Sequence, residues 1–140
     1  MAIDEKIAHL GFIQAVINRM GNNSFLVKGW TVVLVAAIFA LAAKDSNSNF
    51  VFIALVPIFA FWGLDAYYLH QERLFRGLYE VVADGRIKSN NFTMSTESIK
   101  VATTLRIAFT LSVWPFYLLI ILMLVIVAIK SWANIHWHFI

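Results

Sequence analysis

The sequence predicts an all-α integral membrane protein with three transmembrane helices per subunit, an amphipathic N-terminal helix and a small cytoplasmic insert, assembled as a homo-oligomer. The first observation is a 23-residue run at 107–129, IAFTLSVWPFYLLIILMLVIVAI, with no charged side chain between Arg106 and Lys130. At ~1.5 Å per residue such a run makes a helix of ~34 Å, enough to cross a hydrocarbon core of ~30 Å. Composition is the second: 61% hydrophobic residues, 14% charged residues and a mean hydropathy of +0.76 leave little surface for water. Third, two further apolar segments precede the long run, and a chain of 140 residues has too little interior to hide three such helices.

The chain opens with a helical pattern. Ile3, Ile7, Leu10, Ile13, Ile17 and Met20 recur at three- and four-residue steps, while Asp4, Glu5, Lys6, His9, Gln14, Asn18 and Arg19 fill much of the remainder. Such a helix lies on a membrane surface, packs against a neighbouring subunit, or merely anchors the first span. Asp4 and Glu5 stand where a secretory signal would be basic, so no cleavable signal peptide is expected.

The first span is expected at 25–43, where Lys28 is the only charge and can snorkel to the headgroups. The polar hexapeptide KDSNSN then forces an antiparallel return through 46–64, a stretch without charge and broken only by Pro57. A two-span topology, with 25–43 interfacial or re-entrant, is the alternative. From Asp65 to Val82 helical character continues as a stalk, with Glu72 and Arg76 four apart. Asp84-Gly85 signals a turn, and RIKSNNFTMSTES has the small polar residues of loops. Ser95 is the expected N-cap of a helix running through Arg106 into the third span, with Glu97 in its first turn. The resulting division is an amphipathic helix at 1–23, a transmembrane hairpin with stalk at 24–82, an insert at 83–106, and the third span with its tail at 107–140.

Positive charge orients the spans. Lys6, Arg19, Lys28, Arg73, Arg76, Arg86, Lys88, Lys100 and Arg106 fall on one side, and Lys44 and Lys130 on the other. By the positive-inside rule the N-terminus and the 70–106 connection are cytoplasmic and the C-terminus lies outside.

Chemistry finds few footholds. The absence of cysteine excludes disulfides and thiolate chemistry, and no phosphate loop, nucleophile elbow or zinc-protease pattern occurs. Glu72, Glu80, Asp84 and Glu97 stand among Arg and Lys, as surface ion pairs do. His136 and His138 lack a third ligand and are flanked by Trp132, Trp137 and Phe139, an aromatic-belt composition, so neither a metal nor a cofactor is expected and the protein is read as a non-enzyme. Asp65 differs from the other acids: at the inner end of the second span its desolvation is costly unless it meets a partner, a wet pathway where it would favour cations, or headgroup water. With Thr31 and Pro115, a hydroxyl and a helix-bending residue inside spans, it forms the candidate pore and gating set. Arg86, Lys88, Asn90, Asn91, Phe92, Lys100 and Arg106 offer phosphate-binding charge, amides and one aromatic face, the composition of a single-strand oligonucleotide site or of an anionic-lipid contact.

The words FIQAVINRM, NSFLVKGW and LDAYYLHQERLFRGLY, within the first 82 residues, are not demanded by hydrophobicity. They resemble the membrane module of small bacterial anti-phage defence effectors, and the overall plan is most similar to the Hailong channel effectors. That resemblance implies an oligomeric ion channel of the bacterial inner membrane, with a tetramer as the working number. It further implies a cytoplasmic crown at 84–106, held closed by a single-stranded oligodeoxyadenylate or related nucleotide signal from a partner nucleotidyltransferase encoded nearby. The alternative is a non-enzymatic membrane anchor recruiting a soluble defence partner.

Overall fold

The computed structural model describes residues 2–45 and 49–137, with side chains described from Ile3 to Leu41 and from Phe52 to Lys130. Every regular element among them is helical. Helix α1 runs unbroken over Ala2–Asp45 and α2 over Asn49–Ala83, the latter continuing through Pro57. The two pack along their length as an antiparallel pair. A single 3₁₀ turn at Ser89–Asn91, the short helix α3 (Thr104–Ala108) and helix α4 (Trp114–Trp137) complete the chain.

The expected amphipathic helix and first span are therefore one rod, and the boundary at residue 23 falls inside it. The expected stalk is likewise the continuation of α2. By length and composition, α1 and α2 are the two helices able to cross a membrane among the described residues; Trp114–Lys130 is a shorter apolar helix.

The third apolar run departs from expectation. Residues 95–103 are not helical, and Ser95 Oγ instead accepts a hydrogen bond from the Glu97 amide at 3.5 Å. Thr103 is the cap actually used, its side chain accepting from the Arg106 amide ahead of α3. The run then turns at 109–113 before α4 begins. Pro115 explains the break: it lacks the N–H that a helix interior needs and its ring collides with the preceding turn, so it sits in the first turn of α4. It starts a helix and does not kink one. The freed groups are satisfied locally, with Thr110 Oγ1 donating to the Ile107 carbonyl at 2.7 Å and the Trp114 amide to the Thr110 carbonyl at 3.1 Å.

Two apolar cores result. One joins Val35 of α1, Ala54 and Ile58 of α2, and Tyr117, Ile120 and Leu124 of α4. The other lies in the stalk, where Ile13 and Ile17 meet Leu78 and Val82, and Ile87, Met94 and Ile99 of the insert close over them. The insert is thus a strap laid along the stalk. It passes so near that a Cβ on Gly77 would stand 2.5 Å from Ile99 Cγ2.

Candidate functional site

Between the two cores lies a polar layer. Ser24, Lys28 and Thr31, spaced four and three apart, share one face of α1, and that face meets Asp65 of α2. Asp65 is wholly buried. Ser24 Oγ donates to its Oδ1 in a very short hydrogen bond. Lys28 Nζ lies 2.5 Å from Oδ2, an ion pair rather than a well-directed hydrogen bond, and reaches Ser24 Oγ at 3.2 Å. Thr31, also buried, donates to the Val27 carbonyl at 2.8 Å. From α4, Tyr117 stacks on Trp62 and donates its hydroxyl to the Phe61 carbonyl at 3.1 Å, with Thr31 and Asp65 as its other polar neighbours. Trp62 Nε1 in turn donates to the Ala108 carbonyl at 2.9 Å, tying the end of α3 to α2.

Lys28 accordingly turns inward to a carboxylate, not outward to headgroups. Asp65 is a sealed, paired group, not an interfacial acid in water. A buried carboxylate that lost its cation would keep the full desolvation cost, several kcal/mol in order of magnitude, so the pair holds α1 to α2. The structure brings Asp65 and Thr31 together with Tyr117, while Pro115 lies just ahead of Tyr117 at the start of α4. Tyr117 carries no mark in the sequence, and Ser24 stands out only within NSFLVKGW, without a role. For Ser24 the helical spacing to Lys28 was the available signal.

The strap is pinned at its upper end by His9, which has no exposed surface. Its Nε2 is 2.9 Å from the Thr93 carbonyl, which can only accept, so that nitrogen carries the hydrogen; Nδ1 is hydrogen-bonded with Ser89 Oγ at 3.2 Å. Phe92, held at φ 46° in the left-handed region, sets its ring edge-on to His9 and Phe12. Lys6 Nζ donates to the Ala83 carbonyl at 2.6 Å and so closes the last turn of α2. At the lower end Thr104 bonds His70 Nδ1 at 3.0 Å.

The basic candidates ride on this strap. Arg86, Lys88, Asn90, Asn91, Phe92, Lys100 and Arg106 are all exposed. Arg86 pairs with Asp84 at 2.9 Å. Lys88 and Asn90 line a cavity of ≈ 280 Å³ with Glu5, Lys6, Val82, Gly85, Ile87 and Ser89. Lys100 and Arg106 lie further along, toward the end pinned by His70, so the cations are strung along the stalk and not gathered at one point. Phe92 is partly engaged by α1, leaving only part of its ring for stacking. His136, His138, Trp132, Trp137 and Phe139 fall outside the residues whose side chains are described. Compared with known proteins, the chain matches no family model, no curated protein and no solved structure.

Proposed function

We propose that this chain is the subunit of a homo-oligomeric membrane channel, or membrane-permeabilising effector, controlled from its basic stalk. In this reading α1, α2 and α4 span the bilayer, the α1–α2 stalk and its strap stand on the cytoplasmic side, and the protein is a bacterial inner-membrane component of anti-phage defence. The observation that carries it is the polar layer: a carboxylate and a lysine paired between apolar cores, at the level where spans become stalk. Ionisable groups buried among membrane helices are costly to keep and mark ion paths or switching elements. The strap supplies the second half of the reading, because it presents cations outward while being tied to the same two helices that hold the pair. A negatively charged nucleotide or oligonucleotide bound there would act on the spans through rigid helix.

A face of α1 supports assembly. Gly11, Asn18, Asn22, Gly29, Ala36 and Ala40 lie opposite its buried side and are all exposed. Gly11 and Gly29 have nothing within 4 Å of where a Cβ would stand. Glycine costs a helix interior about 1 kcal/mol relative to alanine, and a closely approaching neighbour accounts for it at these two positions.

Ion flux from liposomes containing the purified protein tests the channel. Conductance that changes on adding single-stranded oligodeoxyadenylate to the stalk side is the expected result, and none under any condition would end the channel reading. Changing Arg86, Lys88 and Arg106 together to Ala should weaken oligonucleotide binding and flatten its salt dependence. A monomer in mild detergent that copurifies with a soluble protein would favour the membrane anchor instead.

A further inference from the structure

Asp65 is the one carboxylate without exposed surface among the described residues, and its charge is balanced by a side chain able to leave. Lys28 keeps 24% of its side chain exposed while Asp65 keeps none. A lysine stem at the end of an apolar helix segment can carry its ammonium outward to headgroup water; a carboxylate on its short stem, enclosed by two helices, has no such route. Departure of Lys28 alone would leave a bare anion between two apolar cores, which its surroundings forbid. The exchange therefore requires a replacement positive charge, a cation or a proton.

We propose that Asp65 is the centre of a binding site for a small inorganic monovalent cation, sodium or potassium, and that Lys28 occupies it as a tethered substitute in the state described above. The donors are hard oxygens, as alkali cations prefer: both carboxylate oxygens of Asp65 and Ser24 Oγ, with the Tyr117 hydroxyl beside Asp65. The valence follows from charge. One carboxylate balances one positive charge, and a divalent ion would leave a net charge sealed in the same layer. The site then has two states of equal charge, lysine in or ion in. In the lysine-in state an ion pair from a side chain of α1 ties that helix to α2, whereas in the ion-in state the Lys28 tether is released. This deepens the channel reading by naming what a permeating ion would compete with, yet its test needs no conduction.

The full-length native chain in lipid nanodiscs is labelled with an amine-acylating reagent at fixed pH and ionic strength, in sodium or potassium chloride against choline chloride. Acylation of Lys28, read by mass spectrometry, should rise several-fold in the alkali salts, with Lys88 and Lys100 as unchanged internal references. Equal labelling in choline overturns the proposal. In parallel, the thermal midpoint of Lys28→Met should climb with sodium or potassium concentration as a bound ligand requires, stay flat in choline, and lose its response in Lys28→Met/Asp65→Asn. A midpoint that responds to choline equally, or only to acidification, means that no ion site exists and the carboxyl takes a proton instead. Should Lys28→Met not fold, the native labelling decides alone. Alkali-dependent labelling in a protein that passes no ions would keep the site and remove the channel.

Discussion

Asp65 and Lys28 are unequal partners, and their substitution should show it. Asp65→Asn leaves an ammonium that can swing to water, whereas Lys28→Met strands a sealed carboxylate. We expect losses of about 1–2 kcal/mol for the former and about 3–5 kcal/mol for the latter in ion-free choline buffer, the upper range being that of a broken buried pair. Unfolding midpoints in detergent titrations check the order. Equal losses would mean that Asp65 reaches water. Half of this pair was legible: Asp65 stood out as an acid that needed a partner, whereas Lys28 reads from the sequence as a residue reaching for headgroups. What the sequence withheld was register. Which α1 residue meets Asp65 depends on how two long helices slide past each other, and neither apolar pattern sets that to within a turn. His9 was hidden for the same reason, since Ser89 and Thr93 lie more than 75 positions away.

At the scale of elements, the strap turns on Gly77. The methyl of Gly77→Ala would occupy space already held by Ile99 Cγ2, and a β-branched side chain has few rotamers in which to retreat. The helix itself would gain about 1 kcal/mol from the change. The two effects fall on different elements: α2 should exchange its amides no faster, while residues 94–101 should lose protection by an order of magnitude or more. Hydrogen exchange resolved by segment makes that distinction, and an undisturbed strap would show that Ile99 is free to move. Helix α2 and the helical character of α1 were readable because long apolar periodicity dominates local choice, but the continuity of α1 across residue 23 was not. The third run differs from its charge-free pattern in its first turns because Pro115 and Thr103 set the helix starts there, and charge-free composition is silent about where backbone donors go.

For the molecule as a whole, if the chain assembles as proposed with all subunits in one orientation, their symmetry axis lies along the bilayer normal and a residue facing that axis meets its own copy. Like charges would repel there; an amide can donate to its twin and accept from it. Asn18 and Asn22 suit such a position. Because the chain has no cysteine, Asn18→Cys and Asn22→Cys should each give disulfide-linked dimers in native membranes, while Ile17→Cys, on the buried side, should not. Crosslinks confined to Ile17, or to a different protein, would move the interface. Oligomeric state was readable only as a condition of transport, since nothing in one chain's apolar pattern separates a face turned to lipid from a face turned to a twin.

The unbroken α1 has a mechanical consequence. Its 44 residues contain no proline, so at ~1.5 Å per residue it is a shaft of ~66 Å with every peptide unit in register. A shaft of this kind passes torque. If a bound molecule tugs the strap and turns the His9 end by some tens of degrees, Lys28 and Thr31 turn with it, because no hinge lies between to absorb the twist. The carboxylate on α2 would then be uncovered by rotation alone, without either helix moving along its axis.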